Sequence, residues 1–129
     1  MNEESTLNVF LWILQGVLAV LFALSGVMKC IQPKEKIDAT MPVMAGFSGG
    51  TVRFIGIAEM AGALGLILPA ATGIAPILTP LAATGLALVM VLAAFAHLRR
   101  KELPSIAVNT VLFLGAVIVA WGRFGPYAL

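Results

Sequence analysis

Four polar side chains stand where apolar ones are the rule: Lys29, Glu59, His97 and Asn109. An ammonium, a carboxylate, an imidazole and an amide brought together could bind a proton, a lipid headgroup or a quinone, or could tie helices to one another. Glu59 poses the question most sharply. It lies within RFIGIAEMAGALGLILPAA, residues 53–71, a run of the length that crosses a bilayer. It is about 9 Å beyond Arg53 at the helical rise of ~1.5 Å per residue. An ionised side chain at the centre of a membrane helix costs ~2.5–3.5 kcal/mol on insertion scales, so Glu59 needs a partner. Lys29 or Arg53 would offset much of that cost, and His97 and Asn109 would add hydrogen bonds.

The elements that must position these residues are legible in the composition. Of 129 residues 60% are hydrophobic and only 11% charged, against roughly 25% charged in ordinary soluble domains. The apolar residues gather in four runs, at about 7–29, 51–70, 77–98 and 105–123. The fold class expected is all-α: one integral membrane domain over residues 1–129, an antiparallel four-helix bundle. Pro69 and Gly73 are expected to close the second helix, Pro76 and Pro80 to open the third, and Pro104 precedes the fourth. Lys29, Lys34, Lys36, Arg53, Arg99, Arg100 and Lys101 flank one side of the spans, and only Arg123 the other. The positive-inside rule then puts both termini outside and the two basic connections in the cytoplasm. Arg53 and Arg99 read as topology anchors and as contacts for lipid headgroups. Trp12, Trp121 and Tyr127 suit an outer aromatic belt. The connection from Cys30 to about Gly50 is expected either to lie in the interface or to fold back over the mouth of the bundle.

Helical neighbours fall three or four residues apart, and on that spacing each polar residue shares a face with small ones. Gly56, Gly62 and Ala63 surround Glu59; Gly16, Ala19, Ala23 and Gly26 lead to Lys29; Ala83, Ala87, Met90 and Ala94 lead to His97. Asn109 shares its face with Phe113, Ala116, Ala120 and Arg123. Small residues mark helix contacts in membranes, so all four polar groups are expected to face the interior as one cluster near the cytoplasmic end. Gln15, in the outer half of the first span, reads as an interhelical hydrogen-bonding residue.

Several chemistries are disfavoured. The bases sit beside the spans rather than on a patch, so nucleic acid is not an expected partner. One histidine cannot supply paired haem ligands, and no group of His, Cys, Asp and Glu has metal-ligand spacing. There is no phosphate loop after a strand and no serine-nucleophile motif, so no catalytic residue is assigned. The single cysteine, Cys30, cannot form an internal disulfide. Lys29 before Cys30 argues against a lipoprotein site. The acidic opening MNEEST lacks the basic start of a signal peptide, so the first run is expected to be retained.

The segments FIGIAEMAGALGLILP, PLAATGLALVMVLAAFAHLRRKE and the closing AWGR, with LFALSGVMKCIQP before them, resemble the DoxX-like family of small four-span membrane proteins over about residues 10–123. The resemblance matches the family's polar positions at Lys29, Glu59 and His97. It implies a range of roles, since the wider superfamily includes a subunit associated with thiosulfate:quinone oxidoreduction and a eukaryotic endoplasmic-reticulum chaperone of receptor assembly. The expectation that follows is an accessory protein of the bacterial inner membrane, assisting assembly or stability of a membrane-protein partner. A quinone-interacting subunit of a membrane oxidoreductase is the alternative, and a small proton-linked transporter the third reading. No cofactor is identified; a quinone or a lipid is the ligand the cluster would suit. The lipid bilayer is the expected environment, and a homodimer is compatible with the small-residue faces.

Overall fold

The computed structural model describes residues 2–129. Helix α1 runs Glu3–Ile31, α2 Lys34–Thr40, α3 Gly49–Thr72, α4 Leu78–Arg99 and α5 Leu103–Phe124. A 3-10 turn, Pro42–Gly46, lies between α2 and α3. The four long helices each carry an apolar stretch able to span a membrane. They form a ring in which α1 packs on α3, α3 on α4, α4 on α5 and α5 back on α1.

The helix ends follow local chemistry. Asn2 caps α1, its side-chain oxygen accepting from the Ser5 amide at 2.7 Å, with Glu3 and Glu4 in the first turn and Lys29 in the last. Those charges complement the helix dipole. Ser48 caps α3 in the same way, accepting from Thr51 at 3.1 Å. Gly73 ends α3 at φ 75°, a left-handed conformation that favours glycine. Pro69 does not end the helix; it sits inside the last turns of α3. Lacking an N–H, Pro69 frees the carbonyl of Gly65 four residues earlier. The hydroxyl of Thr79 donates to that carbonyl at 3.0 Å, which ties α3 to α4.

The core is shared by all four long helices: Leu18 and Phe22, Ala63 and Leu66, Ala83 and Leu86, and Val119. The outward faces are equally apolar. Leu24, Phe54, Leu92 and Val111 are all well exposed. A helix apolar all round needs an apolar solvent, so in a bilayer the difference between inside and outside is packing and not hydrophobicity. Glycine makes that packing close. A Cβ built on Gly26 would lie 2.6 Å from the Gly56 carbonyl oxygen, and one on Gly56 would lie 2.8 Å from that of Gly26. The backbones of α1 and α3 therefore touch there, and no larger residue fits.

The connection between α1 and α3 folds back over one end of the bundle. Ile37 of α2 and Val43 and Met44 of the turn are buried against Val52 of α3, with Ala96 of α4 packed on them. Lys34 holds this piece together, donating to Asp38 at 2.6 Å and to the Met44 carbonyl at 3.0 Å. The apolar half of the connection, unfavourable as a solvated loop, thus becomes a small cap. This is the capped end of the bundle; the opposite end is the terminal end.

Candidate functional site

Lys29 and Glu59 meet at the capped end. The ammonium of Lys29 makes an ion pair and hydrogen bond with Oε1 of Glu59, whose residue is 2% exposed. It also donates to the Ser25 hydroxyl at 2.9 Å. The Gly26–Gly56 approach makes this geometry possible: a Cβ on Gly56 would come within 2.9 Å of the Lys29 Cβ. The small-residue faces and the ion pair are therefore one feature, because closely packed backbones let the two side chains reach each other.

Arg53 serves the same site indirectly. In α1, the Lys29 carbonyl would ordinarily accept from residue 33, but that residue is Pro33 and has no N–H. The Arg53 guanidinium donates to this carbonyl instead. Arg53 is half-buried, and this contact ties it to the end of α1. Arg99 is exposed.

His97 and Asn109 lie apart from this pair in hydrogen bonding. His97 Nδ1 is 2.9 Å from Glu102 Oε1, and Arg100 Nε is 3.7 Å from the other oxygen of that carboxylate. These contacts close the tight turn between α4 and α5, which also places Lys101 at φ 58°. Asn109 is 8% exposed, and its Nδ2 has no hydrogen-bond partner. It lines a groove of about 260 Å³ between α4 and α5, with Met90, Phe95, Leu98, Ile106 and Phe113. The four polar residues singled out by sequence thus separate into an ion pair, a turn-closing pair and an unpaired amide. The structure does not join them in one network.

A second polar group forms toward the terminal end, around Arg123. This residue is 2% exposed, and among the described residues no carboxylate pairs with it. Its Nε donates to Gln15 Oε1 at 2.8 Å, and Nη1 to Asn8 Oδ1 at 2.7 Å and to the Tyr127 carbonyl at 2.9 Å. Its charge also lies 5.6 Å from the centre of the Trp12 ring, within cation–π range. Gln15 then donates to the Leu66 carbonyl at 2.6 Å, so α1, α3 and α5 are tied at one point. Counting bases for topology reduced Arg123 to a flank residue. The signal that could have found its role is the spacing of Asn8, Trp12 and Gln15, four and three residues apart on one face of α1.

The chain matches the sequence profile of the DoxX-like family over residues 13–119. That span runs from early in α1 to the last turns of α5 and contains Lys29, Glu59, His97 and Asn109. The chain belongs to the DoxX-like family. No curated protein and no solved structure matches it. Family membership and four apolar helices together make it an integral membrane protein.

Proposed function

We propose that this DoxX-like protein is a small accessory protein of the bacterial inner membrane, both termini outside, that assists assembly or stability of a membrane-protein partner. The observation that carries the reading is the closure of the Lys29–Glu59 pair. The one carboxylate embedded in a span is turned onto a lysine of the same chain and sealed beneath touching backbones, an arrangement suited to holding α1 on α3. A catalytic or transport carboxylate would be expected to face a cavity or a path to water.

The wall between α3 and α4 offers a place for a partner. A groove of about 510 Å³ runs there, bordered by Ala58, Ala61, Gly62, Gly65, Ala82 and Gly85. Small residues of this kind let another helix approach closely in lipid, where dispersion and not water exclusion drives association. The quinone-interacting reading ranks second because it requires Glu59 and His97 to exchange protons with a headgroup, and both are engaged within the chain. Transport ranks third, since the bundle interior is filled by side chains.

The test is native mass spectrometry of protein extracted gently from its own membrane, for wild type, Gly85→Leu and Glu59→Gln. A Cβ on Gly85 meets nothing within 4 Å, so leucine fills the groove without disturbing the fold. A protein partner retained by wild type and lost in Gly85→Leu supports the accessory role. A quinone retained by wild type and lost in Glu59→Gln while that variant stays folded, with no protein partner, overturns it in favour of the second reading. Reporter fusions at the C-terminus check the orientation: an active periplasmic phosphatase is expected, and a fluorescent cytosolic reporter in its place would reverse the topology.

A further inference from the structure

We propose that residues 33–47, the cap between α1 and α3, form a lid that swings off the bundle as one body, with Lys34 as the strap that holds the lid together. Among the described residues, every hydrogen bond of this segment has its partner inside the segment. The backbone amide of Met41 donates to Ile37, that of Met44 to Met41 and that of Phe47 to Met44. Lys34 spans the junction between α2 and the 3-10 turn, donating to Asp38 on one side and to the Met44 carbonyl on the other. The lid therefore carries its polar pairing with it, and leaving the bundle breaks no hydrogen bond. Apolar contact alone holds it down, Ile37, Val43 and Met44 on Val52 and Ala96. Such contact has no direction and scales with the area covered.

The chain on either side of the lid is built to bend. Gln32 and Pro33 at its start, and Phe47 and Ser48 at its end, are extended, with ψ between 146° and 158°. A Cβ on Gly46 or Gly49 would meet nothing within 4 Å. Short joints at the ends of elements absorb the φ/ψ change of a hinge. The apolar side that leaves Val52 need not face water. The lid begins just beyond the end of α1, where that side can lie among headgroups and acyl chains. Opening also changes the α3–α4 groove. On α4, Ala82 and Val89 border that groove, and Ala96 follows at the same seven-residue spacing, on the same face. With the lid closed this stripe ends beneath it; with the lid open the stripe runs on from Val89 to Ala96, about 10 Å further. The lid thus sets the length of the groove at the capped end. The swing itself does not rest on the accessory reading, because it follows from the lid's own bonding.

Cys30 is the one cysteine of the chain, so Cys30→Ser gives a background in which single positions can be probed. In that background Ile37→Cys and Val43→Cys place a thiol on the lid, Val52→Cys beneath it and Ala83→Cys in the core, all at buried positions. Labelling by N-ethylmaleimide is timed in bicelles, each rate taken relative to that of the same variant unfolded in dodecyl sulfate. Ile37→Cys, Val43→Cys and Val52→Cys are expected to share one rate. That rate should be about 10-fold or more above that of Ala83→Cys, since a local opening costs less than global unfolding. Adding Lys34→Met is expected to split Ile37→Cys from Val43→Cys, because the two halves of the lid then open separately. Met44→Cys replaces Val43→Cys if that variant does not fold. One slow rate at all four positions overturns the proposal, because the cap then opens only when the bundle unfolds. So does fast labelling on the lid with Val52→Cys as slow as Ala83→Cys. So do rates for Ile37→Cys and Val43→Cys that differ with Lys34 in place, or that stay equal in Lys34→Met. Gly85→Leu, which fills the α3–α4 groove, leaves these rates unchanged, so the lid and the accessory reading fail separately.

Discussion

Removing either partner of the Lys29–Glu59 pair should destabilise the fold unequally, and removing both should restore it. A buried ion pair broken from one side leaves an uncompensated charge, at a cost of about 3–5 kcal/mol. The two residues differ in how far they can escape. Lys29 is two residues from the end of α1, on a long flexible stem that can carry an unpaired ammonium to the headgroups. Glu59 is ten residues into α3, about 15 Å along the helix, on a side chain too short to follow. Glu59→Gln, which strands the lysine, should therefore fall near or below the bottom of the range, about 3 kcal/mol. Lys29→Met, which strands the carboxylate, should lie near the top, about 5 kcal/mol. Lys29→Met/Glu59→Leu leaves no buried charge and should return to within about 1 kcal/mol of wild type, since buried pairs are often replaceable by apolar residues of similar volume. Reversible unfolding in bicelles by steric trapping reads these values. Single variants within about 0.5 kcal/mol of wild type, the range of inconsequential surface changes, would refute the reasoning. So would a double variant as unstable as the two singles summed.

Three further outcomes follow from the packing. Gly26→Leu should lose about 1–3 kcal/mol through overpacking, because even its Cβ meets Gly56 and Met60 at 2.6 Å; Gly16→Ala, with nothing within 4 Å, should be neutral or slightly stabilising in the same assay. Gln15→Leu should cost about 1–3 kcal/mol by leaving Arg123 Nε without its acceptor, and Arg123→Lys should be comparably unstable because an ammonium cannot reproduce the guanidinium's fan of donors. His97→Ala should change stability by about 1 kcal/mol or less, since its contact with the part-exposed Glu102 closes a turn near the surface; a loss as large as that of Lys29→Met would place His97 in the buried pair after all.

What the sequence carried most clearly was the set of helices, because a bilayer demands long apolar runs and punishes anything else. Glu59 and Lys29 were legible as a pair for the same reason: an embedded acid must find a base, and small residues on both faces pointed toward contact. His97 and Asn109 shared that pattern without sharing the network. Facial spacing gives the direction of a side chain, but not its distance from groups on other helices, and the ring order that sets those distances is not written in any one span. His97 also had a competitor five residues away, Glu102, that a reading of helix faces passes over because it lies in the turn. The cap over one end was foreshadowed by the apolar residues of the connection. Its α2 and 3-10 turn were less visible, since their short helical segments are stabilised by burial against Val52 and Ala96 and hardly at all by local propensity.

The contrast between Lys29 and Arg123 says what the two ends of the bundle are built to do. At the capped end a charge is met by a charge, and the pair is closed under backbones in contact. Arg123 instead meets two side-chain amide oxygens, one backbone carbonyl and an aromatic face, all neutral, and keeps one nitrogen, Nη2, without a partner. Neutral acceptors spread the cost of burying a guanidinium over several weak contacts, each drawn from a different turn of α1 or from the C-terminal segment. Such an arrangement fixes the relative height of α1 and α5, whereas an ion pair could be satisfied at several offsets by a flexible lysine. Gln15 passes the constraint on to α3 through the Leu66 carbonyl. The register of three helices is thus set by Arg123 and Gln15, while the close α1–α3 contact rests on the touching backbones at Gly26 and Gly56. Loss of Gln15 should therefore loosen helix register, seen as altered cysteine cross-linking between α1 and α5, even where Lys29 and Glu59 still hold α1 on α3.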